Sequence, residues 1–388
     1  MRYKIKFNNL LFNINFIIFF LTLFLEDLAF KSDISKMILF LKLLLIITLG
    51  ISILLRDINS LRLYKLLYLL IISFTILIIT GDFFFLFVLL LGYLASNIED
   101  EEIYKLSLKC YIFMMIVVLF LYSIGFLNNY VTYRTDFSSQ ARHTLGFNFS
   151  AVLPLLLCYM LCNYIALNGK KKNIRFVILF IFFIISFILF KVCVSRNAFY
   201  VTLLLLVMVI LFDNRVLKSI SKKTIKIMAK WILFICIFVS VVPAILRSKG
   251  ILMPLWYRYD YIFTNRTLLG ASAIEAYGIK FINIMQYNDY KSIMVNVDSY
   301  IHEGIVLDSA YMYMLVRYGI LILTIFVMTF LNYYRKNKED IYSCLVFIAI
   351  AILNMTDNDI FSYGCLPFLL ISVKYIFKRT ESIWLILL

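Results

Sequence analysis

Apolar runs long enough to cross a bilayer follow one another through nearly the whole chain, and this fixes the fold class before any single residue is weighed. Crossing about 30 Å of hydrocarbon takes roughly 20 residues of helix. Inside lipid each backbone amide must be bonded within its own segment, so such runs are expected to be helices. A transmembrane barrel needs short segments of alternating polarity, and these are absent. Hydrophobic residues make up 63% of the chain and charged residues 15%, with a mean hydropathy of +0.94. Too few charges remain to cover a soluble domain of 388 residues. The expectation is an all-α polytopic membrane protein with about 12 transmembrane helices, forming a single integral domain over 1–388.

The expected spans are 10–28, 37–55, 64–80, 83–98, 106–127, 147–167, 176–194, 197–212, 231–246, 309–332, 341–356 and 360–377. If they alternate, most lysine- and arginine-rich connections fall on one face: 1–7, 56–65, 169–175, 213–230, 333–340 and Lys378-Arg379. The positive-inside rule makes that face cytoplasmic, with both termini on it, and accounts for most of the +16 formal charge without nucleic acid. The acidic loop Glu99–Glu102 falls on the same face as a misfit. The basic, apolar N-terminus resembles a signal peptide, but Glu26-Asp27 stands where a small-residue cleavage site would be, so it reads as a retained helix. The seven cysteines lie in or beside apolar stretches with no CxxC pair, as packing residues do.

Two segments on the opposite, extracytoplasmic face stand out: 128–143 and the long loop 247–308. A connection of the second length usually has structure and function of its own. Its aromatic run, Pro254 to Phe263, suits either an anchor in the headgroup zone or a sugar-contacting surface. The stretch after Thr264-Asn265 has the pattern of a short amphipathic helix, with either residue a candidate N-cap. Arg134, Arg142, Arg196, Arg247, Arg258 and Arg266 lie on this face against the charge rule. Guanidinium groups at a bilayer surface invite a phosphate, although each one alone could pair with a carboxylate or a lipid headgroup. Arg317 falls about 12 Å inside its span, at 1.5 Å per residue, and needs a partner or a wet vestibule there. The two histidines, His143 and His302, both belong to these outer segments, and His302 precedes Glu303. No HExxH, P-loop or GxSxG pattern occurs, and no DxD pair falls on the cytoplasmic face, so neither a metal nor a nucleotide cofactor is expected.

Five short motifs together resemble the Wzy-type polysaccharide repeat-unit polymerases of O-antigen and capsule assembly. They are Arg142–Phe147 (RHTLGF), Ser195-Arg196, Asn265-Arg266, Leu307–Tyr311 (LDSAY) and Arg317–Ile320 (RYGI). O-antigen ligases share the outline, and both groups are GT-C-like membrane glycosyltransferases with a large extracytoplasmic loop carrying short helices. The resemblance implies undecaprenyl-diphosphate-linked oligosaccharides as substrates, membrane lipids as surroundings, and a chain-length regulator and a flippase as candidate protein partners. It implies that a hydroxyl of one unit attacks the anomeric carbon of another and lipid diphosphate leaves, without a cofactor. Arg196 and Arg266 would stabilise the departing diphosphate, and His302 would deprotonate or orient the acceptor hydroxyl. Arg142, Arg258, Glu303, Asp308, Tyr311 and Arg317 would bind substrate.

A lipid-linked oligosaccharide flippase or other transporter is the alternative from a different class, and an O-antigen-type ligase differs only in acceptor. Single cysteines placed at positions 196, 266 and 302 should react with a membrane-impermeant thiol reagent from the extracytoplasmic side. Reaction only from the cytosolic side would remove the electrostatic basis of the reading.

Overall fold

A computed structural model describes residues 2–55, 60–133, 140–169, 174–213, 218–251, 256, 266–283, 307, 309–358 and 362–378. Fourteen helices occur among them. They are α1 (Arg2–Glu26), α2 (Ser35–Leu54), α3 (Ser60–Thr80), α4 (Phe84–Ala95), α5 (Asp100–Ser123), α6 (Val152–Asn168) and α7 (Phe176–Cys193). The second half holds α8 (Arg196–Asp213), α9 (Lys218–Ser248), α10 (Arg266–Tyr277), α11 (Ala310–Arg317), α12 (Ile320–Asn337), α13 (Ile341–Thr356) and α14 (Leu366–Lys378). Five stretches are long and apolar enough to cross a membrane: Phe7–Glu26, Ser35–Leu54, Asp100–Ser123, Phe176–Cys193 and Lys222–Ser248. The chain has the fold of an all-α membrane protein.

Contacts between helix ends sort into two sets. At one end, Asn9 bonds Glu102 at 3.1 Å, Lys65 reaches the Ile376 carbonyl at 3.2 Å, Tyr104 meets Tyr333 at 2.8 Å, and Lys226 pairs with Glu339 at 2.5 Å. At the other, Asn148 holds the Glu26 carbonyl at 3.0 Å, Tyr318 bonds Asp82 at 2.5 Å, and Arg266 reaches the Thr356 carbonyl at 3.1 Å. Consecutive long helices therefore run in opposite directions. The acidic loop now has partners at the first end. Buried Lys374 bonds Asp100 and the Ile98 carbonyl, Tyr375 bonds Asp100, and Lys105 pairs with Glu101 at 2.6 Å. Burial of a charge is tolerated only with such pairing.

Large side chains fill the centre. Phe16, Phe20, Tyr111, Tyr159, Phe347 and Phe368 are fully buried, whereas α2 and α7 turn Leu43, Ile47, Phe180 and Ile188 outward, as lipid-facing helices do. Between α1 and α2 a polar clamp is complete. The Asn15 amide donates to Leu11 O and Ser52 Oγ, both at 2.8 Å, and accepts from Thr48 Oγ1 at 2.8 Å. All seven cysteines are free, six of them buried.

The structure departs from the sequence expectation in four places. The outer segment 128–143 contains an antiparallel ribbon, β1 (Val131–Tyr133) with β2 (Ala141–His143), so the chain is not wholly helical. Helix α9 begins thirteen residues before its expected span, because its basic first turns dock on α12, where Tyr334 bonds the Lys226 carbonyl at 3.0 Å. The final span starts only at Leu366, since Tyr111 Oη takes the Tyr363 and Gly364 carbonyls, at 3.0 and 2.7 Å, in the turn before it.

The expected continuous helix over 309–332 is broken at Tyr318-Gly319. Residues 278–283 cross the break and serve as its caps. Lys280 O accepts from Ile320 N at 3.1 Å, Phe281 O from Leu321 N at 3.0 Å, and the Asn283 amide donates to Val316 O at 2.6 Å. Gly319 sits at φ 93, ψ 179, a region reserved for glycine, and a Cβ there would lie 2.6 Å from Phe281 O. Gly319→Ala should therefore lose at least about 1–3 kcal/mol, read as a lowered unfolding midpoint in detergent. An unchanged midpoint would show that the crossing is loosely held.

Candidate functional site

Of the arginines singled out from sequence, Arg142, Arg196, Arg247 and Arg266 belong to elements at the second end of the bundle, and Arg134 and Arg258 lie outside the described residues. Arg196 is the first residue of α8, separated from α7 only by Val194-Ser195. Val194 closes α7 with φ 53, ψ 32, and its N–H bonds Phe190 O at 3.0 Å. A β-branched residue in the left-handed region costs on the order of 1–3 kcal/mol. That strain produces the two-residue reversal which sets Arg196 at the helix start. Ribbon strand β2, which carries Arg142 opposite Thr132, packs against α7 and so stands beside this turn.

The ribbon leads into a tight turn, Leu145 (φ 50) and Gly146 (φ 92), fixed from inside by Asn129. Asn129 Oδ1 accepts from Thr144 N at 3.0 Å and Leu145 N at 3.1 Å, so its amide nitrogen faces His143 Nδ1 at 3.0 Å. Nδ1 is then the acceptor, and the imidazole proton lies on Nε2. A Cβ on Gly146 would meet Leu127 Cδ1 at 2.9 Å, which explains the glycine in the motif.

On the other side, Arg247 ends α9 and donates to Thr267 Oγ1 at 3.3 Å, one residue past Arg266. Arg266 opens α10 and donates through Nε to Thr356 O, in the last turn of α13. A guanidinium there satisfies a terminal carbonyl and lies at the negative end of the helix dipole. The expected short helix is thus present, and its small face fits it closely to α9. A Cβ on Gly270 would lie 2.9 Å from that of Ala244. Helix α8 also packs along α13, which brings the Arg196 and Arg266 regions to one rim.

Arg317 stands apart from this group. It is 1% exposed, bonds Tyr313, faces Asp82 at 3.7 Å, and lies 5.2 Å from the centres of the Tyr313 and Tyr318 rings. Asp82 also caps α4 through Phe84 N at 2.9 Å. A buried arginine paired across the bundle in this way performs a structural task. Tyr311 is likewise in the core, its hydroxyl on Ala351 O at 2.9 Å. His302, Glu303, Asp308, Arg258 and both candidate N-caps, Thr264 and Asn265, lie outside the described residues.

Sequence reading missed Asp82 and Asn354, polar residues at or within apolar spans, where polarity alone was the available signal, and Asn129 in the outer segment 128–143. It also missed Asp27, behind the Arg142–Phe147 motif, whose carbonyl accepts from Asn148 N at 2.9 Å. Burial, with Glu26 adding repulsion, pushes its carboxyl from 3.8 up to about 7. Among the described residues no cluster of His, Cys, Asp and Glu could hold a metal.

No protein-family profile, curated protein sequence or solved structure matches this chain. Fold and site together define the class: an all-α membrane protein with a cationic rim at one end of its bundle.

The Asp27 carboxyl is raised, so the folded chain holds its proton more tightly than the unfolded chain. Its contribution to stability is complete below about pH 4 and declines until the folded group has ionised near pH 7. Asp27→Asn should flatten the stability profile across that interval, measured as unfolding midpoint against pH. A variant profile identical to wild type would rule the group out.

Proposed function

We propose that this protein polymerises undecaprenyl-diphosphate-linked oligosaccharide repeat units at the outer face of a bacterial cytoplasmic membrane. The observation that carries the reading is the gathering of Arg142, Arg196, Arg247 and Arg266 at the end of the bundle opposite Lys65, Lys226 and Lys378. Under the positive-inside rule the lysine-rich end is cytoplasmic, which makes the arginine rim extracytoplasmic. Counting the five shorter apolar helices together with α12 and α14, the bundle then has about 12 crossings, with both termini inside.

The chemistry follows from charge. As the glycosidic bond breaks, negative charge collects on the leaving lipid diphosphate. Fixed guanidinium groups in a partly dehydrated rim stabilise that charge more in the transition state than in the ground state. Arg196 and Arg266 fill this role, with Arg142 behind them. The resemblance assigns the acceptor hydroxyl to His302, supported by Glu303, and adds Arg258 and Asp308 to substrate binding. The lipid tail reaches the rim from the side, between outward-facing apolar helices. An O-antigen-type ligase would use the same donor half.

The break between α11 and α12 favours a second reading, because interrupted helices are common in transporters of lipid-linked oligosaccharides and other solutes. Against it, residues 280–283 cap the break, where a transporter leaves such groups for its substrate or ion.

Arg196→Ala and Arg266→Ala should each reduce long polysaccharide by at least about 100-fold, a loss of roughly 2.7 kcal/mol in transition-state stabilisation, while single repeat units accumulate on lipid. Gel profiles of the glycan read the outcome. Normal chain length in both variants would exclude the polymerase, and accumulation of units on the cytoplasmic leaflet would establish the transporter.

A further inference from the structure

The protein partners its buried polar side chains with care. Asn15 has every amide group bonded within the bundle, and buried Thr22, Ser107, Thr202 and Ser372 each bond a carbonyl one helical turn away. Asn354 breaks the pattern. It is 0% exposed, yet neither Nδ2 nor Oδ1 has a hydrogen-bond partner. Ser309 does the same at the N-cap of α11. Its hydroxyl is buried, caps nothing and has no partner.

Asn163 Oδ1 and Ser240 Oγ are unpartnered as well, but among the described residues only Asn354 leaves both ends of its amide unpaired, and it and Ser309 belong to segments that pack together. The Tyr311–Ala351 bond fixes the register between α11 and α13. From that bond Ser309 is two residues toward the arginine rim and Asn354 three residues toward it, about 3 and 4.5 Å along the two helices. Two residues further along α13, the Thr356 carbonyl accepts from Arg266, and the Thr356 hydroxyl donates to Leu353 O and Asp357 Oδ2, both at 3.1 Å. Unpartnered donors and acceptors thus lie at one depth beneath a bound guanidinium. An isolated buried amide destabilises a fold, and a local rule broken without compensation marks a site kept for another use.

We propose that Asn354 and Ser309 form a hydroxyl-binding subsite under the rim, which takes the sugar of a glycosyl phosphate whose phosphate lies against Arg266. An amide offers both a donor and an acceptor, and a serine adds a further group of each kind, the set that a ring bearing several hydroxyls requires. Asn354 is 0% and Ser309 6% exposed, so ligand entry requires the ends of α13 and α11 to part. This inference deepens the polymerase reading by placing the first sugar of the donor, and it rests on that reading for the choice of ligand.

The test uses the full chain in detergent micelles, with thermal unfolding followed by tryptophan fluorescence. The probes are glucose 1-phosphate and, at equal concentration, inorganic phosphate. Wild type should gain more from the sugar phosphate than from phosphate. Asn354→Leu should have a higher midpoint without ligand, because an unbonded amide has been removed. It should keep the phosphate gain and lose the extra sugar gain. Ser309→Ala, a smaller change, should lose part of that extra gain, and Arg266→Ala should lose both gains.

Equal gains from the two probes in wild type would overturn the subsite. So would a full sugar gain in Asn354→Leu, or a lower ligand-free midpoint for it together with an unaltered sugar gain in Ser309→Ala. Because no polymer is measured, loss of the sugar gain in Asn354→Leu would uphold the subsite even if chain-length profiles excluded the polymerase.

Discussion

A polar group carried into the interior of an apolar bundle has no water to fall back on, and the architecture follows from how each such group is met. Asp100 and Lys374 meet one another, with Tyr375 and the Ile98 carbonyl completing the set. Arg317 meets Asp82 and two tyrosine rings. Asn15 meets Ser52 and Thr48. The first two joins link segments distant in sequence and the third ties the neighbours α1 and α2, so the apolar surfaces supply the drive to pack while the polar joins select which helices pack and at what register. An arginine–aspartate pair of this kind adds little net stability over an apolar substitute, but loss of one partner would leave a charge stranded in the core.

Much of the fold was legible because apolar length is a strong signal. The helices over 35–54, 176–193, 196–213 and 341–356 lie within about two residues of the expected spans. The opposed directions of the helices were legible from the lysines, since the charge rule depends on local counts near helix ends. The break at Gly319 was not legible. Its stability comes from carbonyls of residues 280 and 281, roughly forty positions upstream, and hydropathy reads straight through it. The ribbon around Arg142 escaped for a similar reason. Three-residue strands have no periodicity to detect, and Asn129 fixes the turn through two backbone N–H groups.

The candidate site was legible in part. Charge against the inside rule pointed to Arg142, Arg196 and Arg266, and the fold brings these positions to one rim. Arg317 gave the same signal of a charge in an apolar span, yet its environment is a buried pair. Sequence shows that a charge needs a partner and does not show which partner it finds. Asn354 illustrates the converse. Its type and position were visible in the sequence, but only packing reveals that the surrounding helices leave both ends of its amide unmatched.

The Asp100–Lys374 pair has a consequence for biogenesis. Asp100 emerges from the ribosome long before Lys374, on the first turn of a helix that becomes continuously apolar only after Lys109. Until α14 is made, the carboxylate stays at the water boundary, because entering the bundle alone would strand its charge. Closure of that end is therefore a late event, timed by synthesis of the final helix. A chain lacking α14 would leave Asp100 without the Lys374 and Tyr375 side chains that hold it in the finished bundle.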